Sequence, residues 1–283
     1  MTTESLSTRE SVADRTAERE QTRTSRRGLL LRRLPWWAEI LVAVGFYFLY
    51  DSVQALAGSD RDKAFANGRD IVSAEKSLHI WIEPHFNRWL TAHHTFGLVA
   101  GYDYGLAHAL VTATVLGVVW WRRPAIEPWL RNSLVAMSLV ALIVYWLYPV
   151  APPRMTVPTL TDTLLTDNVL GARHVHQGLV NLYAAMPSLH VAWALWCAAA
   201  VVFSLRSRWR QLAWLYPLWT TFVIISTANH YLLDAFAGAA LAGVPLLWLA
   251  RRFRSSASGP LLVVGGEDGE QVRGRAGQDP VDA

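Results

Sequence analysis

Between residues 29 and 254 the chain carries six apolar runs separated by short segments that hold most of the charge. The hydrocarbon core of a bilayer is about 30 Å thick, and a helix needs roughly 20 apolar residues to cross it. The runs cover 36–57, 97–121, 129–149, 184–205, 211–229 and 231–250, and each meets that length. A soluble domain carries about a quarter charged residues, whereas this chain of 283 residues has 17%. Since every backbone polar group in lipid must be paired within its own segment, apolar runs of this length imply helices. The pattern predicts an all-α integral membrane protein, a six-helix bundle forming one domain over 29–254. Residues 1–28 and 255–283 have no apolar period and read as disordered cytoplasmic tails.

Orientation follows from the arginines, which are retained on the cytoplasmic side of short loops. With the N-terminus inside, Arg122, Arg123 and Arg131 fall in one inside loop, and Arg206, Arg208 and Arg210 in the next. Arg251, Arg252 and Arg254 then enter a cytoplasmic tail. The first run follows Arg26, Arg27, Arg32 and Arg33 without a small-residue cleavage site, which reads as a retained anchor. Trp36, Trp37, Trp120, Trp121 and Trp129 lie at run ends, where indoles prefer to sit. The expected location is the cell membrane, multi-pass, with both termini cytoplasmic. Residues 58–95 are then extracytoplasmic. Leu78, Ile82, Phe86 and Trp89 recur there at helical spacing around Pro84, which predicts one or two short interfacial helices. The net charge of +4 suits an anionic membrane surface rather than a nucleic-acid partner. Cys197 is the single cysteine, which excludes an intramolecular disulfide and an all-thiolate metal site.

Polar residues at the ends of membrane helices are informative because burying them is costly. Three clusters fall on the outer face. Tyr148-Pro149-Val150-Ala151-Pro152-Pro153-Arg154 closes the third run, where the prolines stop the helix and extend the chain. It presents Arg154, whose planar fork suits phosphate oxygens, although an arginine reaching for lipid headgroups explains it equally. Met186-Pro187-Ser188-Leu189-His190 opens the fourth run, with Pro187 suited to a first helical position. The open amides of that turn favour an anion, and His190 beside them can pass a proton to a leaving oxygen. The plainer alternative is a capped helix start with an incidental histidine. Asn229-His230-Tyr231-Leu232-Leu233-Asp234 opens the sixth run, and His230 and Asp234 share one helix face. A carboxylate there fixes the imidazole tautomer, although it also serves as a structural ion pair between helices. Taken together, two histidines, a carboxylate and an arginine from three runs meet one membrane face.

These motifs resemble the type 2 phosphatidic acid phosphatase superfamily, and within it the inositol-phosphotransferase branch that includes inositol phosphorylceramide synthase, the aureobasidin-resistance protein. The resemblance spans 36–250 and includes Pro-Pro-Arg, Met-Pro-Ser-Leu-His and His-Tyr-Leu-Leu-Asp in order. It implies a lipid phosphate phosphatase or head-group phosphotransferase without metal or other cofactor. His230 would be the nucleophile that forms a phosphohistidine, Asp234 would orient it, and His190 would protonate the leaving alcohol and then activate water or an acceptor. Arg154, Ser188 and first-turn amides would hold the phosphoryl oxygens. The partners implied are a lipid phosphate, the surrounding lipids and a polyol acceptor such as inositol. The chain departs from the superfamily pattern at Leu147 and Ile224, where Lys and Arg are expected, and at Met155 and Leu189, where Pro and Gly are. The loss of two cations favours the transferase-like branch, with Arg173, His93 or His94 as candidate substitutes. Tyr104, His108, Asn181 and Tyr183 are candidates to shape the site from outside the reacting group.

Two readings from other classes use the same residues. A haem-binding membrane protein would take His190 and His230 as axial ligands and would show a Soret band. A polytopic transporter would use Asp103, His108 and Asp234 as a proton path, with broken helices near the midplane.

Overall fold

A computed structural model of the chain describes residues 34–257 apart from 43, 46, 47, 49–59, 168, 170–182 and 206. Most of the first apolar run, residues 1–28 and 258–283, and Arg173, His174, His176 and Asn181 lie outside the described residues. Within them the chain is helical. The β-type pairing they contain is an isolated bridge between Val150 and Ala184. After a helical stretch at 36–42, the elements are α1 (Arg61–Ser77), α2 (Glu83–Ala92), α3 (His94–Tyr102), a π-helical turn (Asp103–Ala107) and α4 (His108–Arg122). There follow α5 (Glu127–Leu147), α6 (Pro153–Thr156), α7 (Thr163–Thr166), α8 (Leu189–Ser204), a 3₁₀ segment (Arg208–Trp214), α9 (Leu215–Ser226) and α10 (Leu232–Ala257).

Among the described residues, two helices are long and apolar enough to cross a membrane: His94–Arg122, which runs through α3, the π turn and α4, and Glu127–Leu147. The other expected spans come out shorter or divided. α8 has 16 residues, about 24 Å at 1.5 Å per residue, because Ser188 caps it and residues 184–188 are not helical, so Pro187, expected at the first helical position, instead lies one residue before the cap. The run 211–229 is divided between the 3₁₀ segment and the 12 residues of α9, which stops before Ala228 takes a left-handed φ of 54°. Six uniform spans are therefore not what the described residues display. The helices are trimmed where their ends turn into site loops. α10 errs the other way, continuing helical through residues 255–257, beyond the boundary expected for the tail.

The outer segment forms two helices, α1 and α2, as the apolar spacing suggests. The break between them is not at Pro84. It falls at His79, whose φ of 58° turns the chain after α1, while Pro84 sits in the first turn of α2. Proline is tolerated there because that amide has no intrahelical partner.

α8 is the central element, packed against α10, α9, α4 and α5. Ala192, Ala194, Ala198, Ala199 and Ala200 are all buried on it, and small side chains let neighbouring backbones come close. Trp196 is fully buried and donates Nε1 to the Leu130 carbonyl at 2.9 Å and to Ser133 Oγ at 3.1 Å. Arg131, expected as a loop cation, is instead buried and pairs with Glu39 and, at 3.2 Å, with Glu127. A guanidinium taken out of water needs such partners to offset its desolvation.

Asn87 ties the outer helices to the bundle. Its Nδ2 donates to the carbonyls of Thr161 and Ser226 at 2.9 Å each, and its Oδ1 accepts from Thr161 N at 2.9 Å. Asn87→Ala should lower the thermal unfolding midpoint in detergent, with a loss of about 2–4 kcal/mol because buried backbone groups lose their partners. A midpoint equal to wild type would count against this bridge.

Candidate active site

The three motif segments are joined to one another mainly through backbone. Val150 N donates to Tyr183 O at 2.8 Å and Ala185 N to Val150 O at 3.3 Å, which ties the first segment to the approach of the second. Arg154 N donates to Ala228 O and Ser188 N to Asp234 O, each at 3.0 Å, which ties both to the third. Tyr145 on α5 donates its hydroxyl to Pro187 O at 2.7 Å, and Tyr231 donates to Ala151 O at 2.9 Å. Gly238 makes this closeness possible. A Cβ there would run into the Ser188 carbonyl oxygen and lie 3.1 Å from its carbon, so only glycine lets α10 rest on the Pro187–Ser188 turn.

His230 is buried, and its Nδ1 lies 2.7 Å from the carbonyl oxygen of Ala185. A carbonyl only accepts, so Nδ1 carries a proton, and in the neutral ring the lone pair is then on Nε2. The carboxylate expected to set this tautomer is farther away, with Asp234 Oδ2 at 3.5 Å from Nδ1. That oxygen instead accepts from Tyr231 N at 2.9 Å. Asp234 thus holds the backbone next to the imidazole, while the Ala185 carbonyl fixes the ring's orientation.

His190 projects from the first turn of α8, with its ring centroid 5.5 Å from that of His230. It is held on both faces: Tyr104 stacks on it at 4.3 Å and His108 lies at 4.4 Å. His108 in turn stacks on Trp193 at 4.9 Å. Tyr104 lies in the π-helical turn and His108 follows it directly. Such an insertion shifts the helical register, as π turns at functional sites often do. Both candidates therefore do line the site, as an aromatic clamp on His190. Tyr183 contributes through its carbonyl and through an edge contact to Phe65 at 6.3 Å on α1. Asn181 lies outside the described residues.

Arg154 is largely buried and anchored before any ligand arrives. Nε donates to Asp162 Oδ2 at 2.9 Å and Nη1 to Asn229 Oδ1. Asn229 is held by Thr227 Oγ1 at 2.8 Å, so the guanidinium is aligned on the residue next to His230. Nη2 has no protein partner among the described residues. The positions where the pattern lacks cations are accounted for differently. Ile224 is fully buried in an apolar cluster with Val191, Ile225 and Ala235. Leu147 is exposed, and its carbonyl accepts from Lys63 Nζ at 3.2 Å, which brings an ammonium from α1 to that helix end. His93 bonds the Trp89 carbonyl at 2.7 Å and His94 pairs with Asp167 at 3.1 Å, and neither contacts Arg154, His190 or His230.

The two helix N-termini at the site differ. At α10 the amides of Tyr231, Leu232 and Leu233 are taken by Asp234, Glu83 and Glu75. At α8 Ser188 Oγ reaches only Val191 N, at 3.5 Å, and the amides of Leu189 and His190 have no protein partner among the described residues. The positive end of α8 is therefore the one open to an anion.

The profile of the PAP2 superfamily matches residues 69–248, which takes in all three motif segments. The chain belongs to the PAP2 superfamily. No curated protein and no solved structure matches it. Superfamily membership implies phosphatase chemistry on phosphate esters. The match reaches no further than the superfamily and gives no support to the inositol phosphorylceramide synthase branch that the motifs resemble.

Sequence reasoning missed Asp162, Ala185 and Gly238. Gly238 stands four residues after Asp234 on the same helix face and was open to detection. Asp162 and the Ala185 carbonyl carry no pattern. Gly238→Ala should reduce turnover by at least tenfold and lower the unfolding midpoint, since rigid backbone cannot give way. Full activity in this variant would mean that α10 and the Ser188 turn separate without consequence.

Proposed function

We propose that this PAP2 protein is a multi-pass membrane enzyme that transfers phosphoryl groups from lipid phosphates at the extracytoplasmic face, through a phosphohistidine on His230. The observation that carries this reading is the Ala185 carbonyl on Nδ1, which leaves Nε2 as a nucleophile with the correct tautomer. Nε2 attacks phosphorus, the bond to the leaving alcohol breaks, and His190 gives that oxygen its proton. A water or an acceptor alcohol then loses its proton to His190 and attacks phosphorus, and the N–P bond breaks. Arg154 and the open amides of α8 receive the phosphoryl oxygens, and the hydroxyl of Ser188 remains able to donate to one of them. No step in this scheme calls for a metal.

A lipid substrate is supported by the belt of large apolar side chains exposed on α4, α5 and α10, among them Leu110, Trp146, Leu147, Phe236 and Leu247. Two helices of spanning length among the described residues support membrane insertion, and the placement of basic clusters in the sequence supports both termini inside. Hydrolysis and transfer share the same intermediate and differ in the acceptor. The anchoring of Arg154 by Asp162 and the loss of two pattern cations support transfer to an alcohol such as inositol.

The test is turnover of a panel of lipid phosphates by detergent-purified protein, with EDTA present and with or without inositol. His230→Ala should lose activity by about 10³-fold or more while remaining folded. Asp234→Asn should cost less, on the order of 10²-fold, since Ala185 already holds the tautomer. Activity that survives in His230→Ala would remove the nucleophile. Free phosphate would identify a phosphatase, and a phospho-alcohol product a transferase. A reporter enzyme fused at Ala172 should signal from outside the cell, and a cytoplasmic signal would reverse the topology.

A further inference from the structure

Glu75 and Glu83 come from different helices, α1 and α2, and both are fully buried. Each sends its Oε1 to the start of α10, Glu83 to Leu232 N and Glu75 to Leu233 N, at 2.7 Å each. Held on adjacent amides, the two carboxyl groups lie close enough to act on each other electrostatically. The remaining oxygens, Glu75 Oε2 and Glu83 Oε2, are buried with no protein partner. Two carboxylates this close in a dry site cannot both stay charged, and one proton between them resolves the conflict. It supplies the missing donor for the two unpartnered oxygens and leaves a single negative charge at the positive end of the helix.

We propose that Glu75 and Glu83 are positioning residues of this active site, a carboxyl pair sharing one proton that clamps the outer helices onto α10 and so holds His230 and Asp234 in place. The inference rests on the phosphohistidine reading above. The clamp acts at the two residues that follow His230 and Tyr231, and Asp234 comes one residue later.

Titration of the pair gives the clamp a direction. Burial first, then repulsion from Glu83 and Asp234, pushes Glu75 up from the usual carboxylate range to about 8, and burial also raises Glu83. The ionisable groups facing the pair are Asp234 on α10, Tyr231 just before it and the two glutamates themselves. His230 acts on Asp234, and Lys76, next to Glu75 in the chain, turns toward the ring of Trp81 at 5.9 Å. A carboxyl whose folded-state value is raised binds its proton more tightly when folded. Its contribution is therefore complete in acid and is lost as pH rises through about 8. Above that, two charges face each other beside Asp234 and the clamp loosens.

The experiment compares wild type, Glu75→Gln, Glu83→Gln and Glu75→Ala between pH 6 and 10. Three readouts are taken: kcat and KM on the best lipid phosphate, the unfolding midpoint, and the infrared carbonyl band of a buried protonated carboxyl. Wild type should lose kcat and midpoint together on the alkaline side and show the band at pH 7. Glu75→Gln, whose amide imitates the protonated carboxyl, should lose the band, rescue most of kcat and shift the alkaline fall upward by at least one pH unit. Glu75→Ala should drop kcat at least tenfold with KM within about threefold; if it fails to fold, the glutamine variants still decide. An infrared band unchanged in both glutamine variants, or a pH profile identical to wild type, would overturn the pair while the reaction assignment stands. A wild-type protein inactive on every phosphate ester, with the band present, would instead bring down the reaction assignment and with it any positioning role.

Discussion

The hydrogen bond from Nδ1 of His230 to the Ala185 carbonyl links the loop before α8 to the loop before α10. Every other feature of the site bears on keeping those two loops in contact. Ser188 N bonds the Asp234 carbonyl, Tyr145 holds the Pro187 carbonyl, and Gly238 removes the one side chain that would keep α10 away. If that contact opened, the imidazole would lose its tautomer and its distance to His190 together. A buried polar network of this kind is stable only when nearly all its members are paired, which is why the surrounding backbone is so thoroughly bonded.

Electrostatics divides the site into an anion-rich half and an anion-accepting half. At α10 three carboxyl groups occupy three successive amides, so this helix end offers a phosphate nothing but repulsion. At α8 the first-turn amides stand open beside His190, and Arg154 approaches from the Pro-Pro-Arg segment already held by Asp162 and Asn229. An anion is thereby favoured at the start of α8, beside His190, rather than at the start of α10. Where the motif pattern lacks two cations, the end of α8 offers positive potential through its amides.

Much of the site is legible in the order and type of its residues. The three polar clusters at run ends mark the segments that do converge, because polar residues at the border of long apolar stretches have few other reasons to be there. Tyr104 and His108 are legible as a pair four residues apart, though only the π-helical turn shows why both reach His190. Hydropathy overstates the span lengths. It counts apolar residues whether or not they remain helical, so it joins the non-helical residues 184–188 to α8 and the 3₁₀ segment to α9. Asp162 and Ala185 are hidden for a different reason. One acts through a distant ion pair and the other through its backbone, and neither leaves a residue-type signal.

By itself the sequence determined the helical class, the membrane-length apolar segments, the order of the motifs and the chemical types at the site. These follow from local properties: hydropathy, proline and glycine chemistry, and helix periodicity. Only the tertiary structure decided which carbonyl fixes His230, which helix end stays open to an anion, and that Glu75 and Glu83 bond the start of α10. Those outcomes depend on contacts between residues 45 to 158 positions apart in the chain. Nothing local to either partner specifies such a contact, and burial turns it into a constraint by removing the water that would otherwise satisfy both groups.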